Sequence, residues 1–274
     1  LRKIRIGYSP CPNDTFVFAH LEKVARDLKF VPVLADIETL NEWAMEARLE
    51  VTKVSTFALG KVLDHYGLLH SGSALGRGCG PIVVARKGTD PARLATAKVA
   101  SPGRWTTASL LLSLYLGKSP DFTYMEFSKV MESVAKGDVE FGLLIHEGRF
   151  VFQSWGLELI LDLGEWWEEK TQLPLSLGNM VIKRELPKAL ARKVDRAIKA
   201  SLELSISLKP GTMEYVMAHA QEMSRDVVMS HIQLYVTEFT RDLGQQGVKA
   251  IEKVLEMARK VGLVGDFSGP LFHD

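Results

Sequence analysis

Four short stretches carry groups able to move a proton or hold an anion. His146 closes the apolar run "FGLLI" (141–145), so a buried strand would fix its backbone while its imidazole, which titrates near neutrality, faces what lies beyond the strand end. Lys53 in "KVST" (53–56) can supply a formal positive charge. Ser55 and Thr56 in the same stretch, with Thr106 and Thr107 in "SPGRWTT" (101–107), can donate hydroxyl hydrogen bonds beside helix starts, where backbone N–H groups favour negative charge. "SPCPNDT" (9–15) adds a thiol at Cys11 and an amide at Asn13. The set suits an anionic or polyhydroxylated small molecule and proton transfer at it.

Each residue also has a plainer reading. A lone Ser or Thr at such a place is an ordinary helix N-cap, worth about 1 kcal/mol to its own helix; the recurrence at successive strand ends points to a ligand. A strand-terminal histidine can equally be a satisfied core residue. Cys11 at a helix start could be a nucleophile, but that role needs a base, and sequence does not set whether His146 reaches it; packing is the simpler reading. His219 and His231 fall within helical patterns and read as structural, and His20, His65, His70 and His273 as structural or surface residues.

The elements that would position these groups alternate in the first half of the chain. β-rich runs at 3–8, 29–35, 51–54, 81–86, 98–100 and 140–145 alternate with helical patterns at 15–27, 37–46, 56–64, 106–116 and 127–136, the mark of an α/β architecture with largely parallel strands. In such sheets ligands sit beyond the carboxyl ends of the strands, which is where the four stretches fall. Pro10 and Pro12 would stiffen the first turn, with Asn13 or Asp14 capping a helix that begins near Thr15. After a strand at 177–186 the chain is almost wholly helical, with apolar residues at helical spacing in 187–207 and 226–243, punctuated by "LKPGT" and "RDLGQQG".

"SGSALGRGCGP" (71–81) is glycine-rich but leads into a strand, whereas a dinucleotide-phosphate loop must open a helix. It reads instead as a tight passage between lobes, with a second crossing at 173–182. Two crossings imply a larger lobe of 1–86 plus 184–274, an inserted smaller lobe of 87–183, and a cleft between them.

Composition narrows the partners. The 274 residues carry 34 Lys and Arg against 33 Asp and Glu, a formal charge of +1, with the bases scattered among acids; that argues against a nucleic-acid or polybasic membrane surface. The apolar runs are far shorter than the ~20 residues a membrane helix needs. The two cysteines are far apart and lack metal-ligand spacing. A strand starts almost at once with no signal-peptide pattern ahead of it, so a reduced, cytoplasmic protein is expected.

The motifs "IRIGYSPCPNDTFVFAHL", "DIETLNEWA", "SGSALGRGCGPIVVAR", "PGRWTTASLLLSLY", "GLLIHEGRF" and "LGEWWEEKTQLPLSLG" together resemble the 1,4-dihydroxy-6-naphthoate synthase family of the futalosine route to menaquinone. The resemblance implies a type II periplasmic-binding-protein-like fold, two α/β lobes around a ligand cleft. It implies a lyase that converts cyclic dehypoxanthine futalosine to 1,4-dihydroxy-6-naphthoate with release of dihydroxyacetone, using no redox cofactor and no metal. The family's proposed base falls on His146. Its substrate-contacting loops fall on Lys53, Val54, Ser55 and Thr56 and on Thr106 and Thr107, with Asn13 a weaker contact in the pocket wall. The partner is then a small-molecule carboxylate. Two alternatives stay open at the sequence level: a solute-binding protein without chemistry, which the same fold serves equally well, and the chorismate-dehydrating enzyme of the same pathway.

Overall fold

The computed structural model of the chain describes residues 2–25, 27–220 and 224–274. Strands β1 (Arg2–Tyr8), β2 (Leu28–Leu34), β3 (Val51–Ser55), β4 (Tyr66–Leu68) and β5 (Ala74–Gly76) form one sheet. Strands β6 (Ile82–Arg86), β7 (Lys98–Ser101), β8 (Asp121–Tyr124), β9 (Phe141–Leu144) and β10 (Leu157–Asp162) form a second, and β11 (Leu175–Lys183) returns to the first. The orders are β2-β1-β3-β11-β4, with β5 also on β11, and β10-β6-β9-β7-β8. The result is the two-lobed periplasmic-binding-protein architecture.

Both sheets are mixed rather than largely parallel. β1 pairs in parallel with β2 and β3, and β7 with β8 and β9, but β11 runs antiparallel to its neighbours and so does β6. The reason is the double crossing. A strand that arrives from the other lobe enters its sheet at the cleft and runs away from it, opposite to strands that end there. The cleft is therefore walled both by the ends of β1, β3, β7 and β9 and by the beginnings of β6 and β11. Sheet membership places 82–86 in the second lobe and 175–183 in the first, so the lobe boundaries fall before these two strands rather than after residues 86 and 183.

Each lobe packs helices on its sheet. Ile4 and Ile6 of β1 are fully buried against Leu190, Val194, Ile198 and Leu202 of helix Lys188–Ile206. In the second lobe Val83, Val99, Phe141 and Leu143 pack with Leu110, Leu111 and Leu112 of helix Thr107–Leu116 and with Trp167. Burying one Leu or Phe contributes roughly 1.5–3 kcal/mol, so both lobes have the core that a fixed cleft geometry needs.

Local boundaries differ from the sequence expectation where specific contacts intervene. The first helix begins at Pro12, with Cys11 at the N-cap, because proline is preorganised for the first helical position. It stops at Phe18 and a short helix resumes at Leu21–Val24, since the His20 backbone N–H leaves the helical ladder and donates to Ser201 Oγ at 3.1 Å. Arg26, inside the expected span 15–27, lies outside the described residues. The expected helix 226–243 is divided into Arg225–Tyr235 and Glu238–Arg241, with Thr237 and Thr240 forming a capping box between them. "RDLGQQG", read as punctuation, does separate two helices: it ends Glu238–Arg241, breaks at Asp242 and Leu243, and opens Gly244–Lys260.

The glycine-rich crossing is a tight passage. Gly78 and Gly80 have φ of 63° and 140°, and the chain runs so close to helix Leu163–Thr171 that a Cβ on Gly164 would lie 2.0 Å from the Cys79 carbonyl oxygen. Gly164→Ala is expected to destabilise the protein by about 1–3 kcal/mol or more, as overpacking does, and calorimetry should show a lowered Tm. An unchanged Tm would mean that the passage can relax.

Candidate active site

A cavity lies in the cleft between the two lobes. Its wall includes Ser9, Asn13 and Asp14 after β1, Lys53 and Ser55 at the end of β3, Thr106, Thr107 and Ala108 after β7, His146 after β9, and Leu177 and Gly178 near the start of β11. His231 and Tyr235 of helix Arg225–Tyr235 complete it.

The first-lobe wall is organised by a buried ion pair. Lys53 Nζ lies 2.7 Å from Asp14 Oδ1, with side chains only 4% and 3% exposed. Asp14 accepts three further hydrogen bonds: from Asn13 Nδ2 at 3.0 Å on Oδ1, and from the Ser9 N–H at 3.2 Å and Ser9 Oγ at 2.8 Å on Oδ2. Lys53 also donates to the Gly72 carbonyl at 2.8 Å. This network, rather than an N-cap, is what Asp14 and Asn13 serve. Lys53 therefore meets the cavity with its charge already matched.

Five neighbouring residues divide between ligand and scaffold. Ser55 Oγ accepts from Asn41 Nδ2 at 3.0 Å, which leaves the hydroxyl hydrogen for a ligand. Thr106 Oγ1 donates to the Gly103 carbonyl, and its oxygen caps helix Thr107–Leu116 at Ser109. Thr107 Oγ1 donates to the Leu177 carbonyl at 2.7 Å and accepts from the Thr56 N–H at 3.0 Å, clasping the two lobes. What these two threonines offer the cavity is the N-terminus of a ten-residue helix rather than their hydroxyl hydrogens. Val54 and Thr56 are set back from the cavity. Val54 is fully buried in the core, where the strand's alternation puts it, and the Thr56 hydroxyl is held by Ser176 and Asn179.

His146 stands at the end of β9 in the left-handed region, φ 55°, a conformation costing a non-glycine residue roughly 1–2 kcal/mol and found preferentially at functional sites. Its Nδ1 lies 3.3 Å from Cys11 Sγ, joining the second lobe to the first. Phe127 meets the ring edge-on at 5.0 Å between centroids, and His231 lies nearly parallel to it at 6.2 Å. Burial lowers the His146 pKa, opposed by the charges of Glu147 and Asp14. Burial, reinforced by Glu147, pushes the Cys11 thiol well up. The pair is therefore a neutral imidazole on a neutral thiol, not a nucleophilic ion pair. With Nδ1 on the sulfur, Nε2 is the nitrogen left for a ligand.

Two cavity residues escaped the sequence reading. His231 is almost fully buried, and its Nε2 lies 2.9 Å from Asn13 Oδ1; burial, then the nearby His146, holds its pKa well below the ordinary value. Tyr235, one turn on, has its phenol pKa raised by burial. A helical pattern shows that both face inward but not that inward is a cleft. Among the described residues no cluster of three or more His, Cys, Asp or Glu is arranged to hold a metal ion.

Residues 4–260 match the protein family described as menaquinone biosynthesis. A Thermus thermophilus protein named 1,4-dihydroxy-6-naphthoate synthase is 43% identical over 276 residues, spanning 99% of this chain and 100% of its own. A Streptomyces coelicolor protein of the same name is 42% identical over 272 residues, spanning 95% of this chain and 94% of its own. Among solved structures, a protein from Archaeoglobus fulgidus superposes with a TM-score of 0.90 at 35% identity, covering 96% of this chain and 98% of its own. The alkanesulfonate-binding protein SsuA from Xanthomonas axonopodis pv. citri gives 0.75 at 15% identity, covering 97% and 95%, a likeness of fold alone.

The buried ion pair can be tested directly. Asp14→Asn would leave the Lys53 ammonium unpaired, and breaking such a pair costs about 3–5 kcal/mol. Urea unfolding should show a loss of that size; a loss below about 1 kcal/mol would show that the pair does not hold the wall.

Proposed function

The chain belongs to the menaquinone biosynthesis family as an enzyme of that pathway, and from this premise we propose that it is a lyase converting cyclic dehypoxanthine futalosine to 1,4-dihydroxy-6-naphthoate and dihydroxyacetone. The observation that carries the reading is His146: a neutral imidazole at a strand end, anchored through Nδ1 on a thiol and left with Nε2 for the cavity.

The Nε2 lone pair takes a proton from a substrate carbon. The electron pair released drives carbon–carbon cleavage and elimination, and aromatisation of the new ring makes the step downhill. For Nε2 to act as the base, Nδ1 must carry the ring hydrogen and donate it to Cys11 Sγ, so Cys11 is a positioning residue. A well-placed general base contributes typically 10²- to 10⁴-fold; orientation and exclusion of water between the clasped lobes supply the rest.

The aryl carboxylate belongs at the N-terminus of helix Thr107–Leu116, near Thr106, Thr107 and Ala108, with Ser55 donating alongside. A helix end gives an anion about 0.3–1 kcal/mol, and up to ~2 when partly buried. Lys53, already matched by Asp14, adds less than its formal charge suggests. Solute-binding relatives share the fold; turnover separates an enzyme from them.

His146→Ala should bind the substrate nearly as tightly as wild type by calorimetry and lose about 10²- to 10⁴-fold in kcat. Near-normal release of the naphthoate, followed by its absorbance, would remove the base assignment. The pH profile carries its own sign. A base whose pKa is lowered by burial stays neutral below the ordinary imidazole value of 6.5, so kcat/KM should hold through that value and fall only at lower pH. An acid limb at or above 6.5 would contradict it.

A further inference from the structure

We propose that His231 is a substrate-binding residue whose Nδ1 accepts a hydrogen bond from a hydroxyl of the substrate. The inference deepens, and rests on, the reading of the cavity as the site of cyclic dehypoxanthine futalosine turnover.

The argument begins at the ion pair. A carboxylate only accepts, so Asn13 must present its NH₂ to Asp14 Oδ1, 3.0 Å away. That turns Asn13 Oδ1 toward His231 Nε2 at 2.9 Å. Because an amide oxygen only accepts, Nε2 carries hydrogen. The neutral ring of His231 then has a bare lone pair on Nδ1. Among the described residues this atom is buried and has no hydrogen-bond partner, while its side chain lines the cavity.

Such a vacancy is not the default for a helical histidine. His219, one helix earlier, directs its Nδ1 at the Tyr215 carbonyl four residues back, at 2.8 Å. His20 also has an unpartnered buried Nδ1, but it lies away from the cavity, with Nε2 on Thr212 Oγ1. Among the described residues two histidines have a buried Nδ1 without a partner, and of these only His231 stands in the cavity wall. A buried polar group without a partner is unfavourable until something donates to it.

The polarity of the vacancy selects the ligand group. A lone pair repels a carboxylate and accepts from a hydroxyl. The carboxylate therefore lies by the helix that begins at Thr107 rather than at His231, and the hydroxylated, sugar-derived end lies at His231. The ring of His146 stands parallel to that of His231 with centroids 6.2 Å apart, so this orientation brings the hydroxylated end to the base as well.

Two substitutions separate the contact from a packing role. His231→Gln places its amide where Nε2 was and has no acceptor at the Nδ1 position; His231→Asn places its amide oxygen near Nδ1. We expect His231→Gln to raise KM for cyclic dehypoxanthine futalosine by about tenfold or more, and His231→Asn to recover most of it. Equal losses in both variants would indicate packing alone and overturn the contact. Nitrogen NMR of ¹⁵N-histidine protein gives the second arm. In the free wild-type protein His231 Nε2 should be protonated and Nδ1 bare, and saturating substrate in the His146→Ala background should shift the Nδ1 resonance. A protonated Nδ1, or substrate that binds without moving it, overturns the contact. Absence of turnover by the wild-type protein overturns the reaction, while the Nδ1 response to bound substrate still decides the contact. Absence of binding overturns both.

Discussion

The ion pair between Lys53 and Asp14 is the constraint on which the cleft depends. It is almost wholly buried, where an isolated charge is strongly disfavoured, so the fold must surround it with partners. Ser9 and Asn13 fill the remaining positions on the carboxylate, and the Gly72 carbonyl takes a second bond from the ammonium. Three stretches distant in sequence are thereby fixed to one another: the turn after β1 with the start of the first helix, the end of β3 and the start of the glycine-rich crossing. A buried pair is weak evidence for net stability, but here it sets geometry. It fixes the Asn13 amide, which in turn fixes the tautomer of His231.

The second lobe brings the other half of the site to this wall. His146 comes on β9 and meets Cys11 of the first lobe; Thr107 comes after β7 and ties itself to Thr56 and Leu177; Glu38 accepts from the Trp105 N–H at 3.0 Å. These contacts cross the cleft, so the same bonds hold the lobes together and bring the two halves of the site side by side. Burial then acts in the same direction on both imidazoles, keeping them neutral. On the proposed reading, one is left with a basic nitrogen for carbon acid chemistry, the other with an acceptor for a hydroxyl. The cavity would thus gain proton-accepting capacity without a net charge that could bind the carboxylate of the proposed substrate in the wrong place.

Much of this was legible in the chain. His146 could be found because an apolar run ending in a titratable residue marks a strand end, and in an α/β fold strand ends face the ligand. Lys53 and Ser55 followed from the same rule. Val54 and Thr56 did not, because they turn away from the cavity within the same short stretch: one lies in the core and the other serves the scaffold. The crossing strands β6 and β11 were expected, but their reversed direction depends on which lobe they arrive from, a fact of tertiary topology. His231 was hidden for a different reason. Its period marks a buried helix face, and only the pairing with Asn13, 218 residues away, shows that the face lies over the cleft.

The most direct test of the account is a crystal structure of the His146→Ala protein with cyclic dehypoxanthine futalosine bound. The account predicts the carboxylate at the start of helix Thr107–Leu116, a hydroxyl on His231 Nδ1, and a reacting carbon about 3–3.5 Å from where Nε2 of the missing imidazole would stand. A substrate lying in the reverse orientation, or outside the cleft between Asp14 and His146, would contradict it.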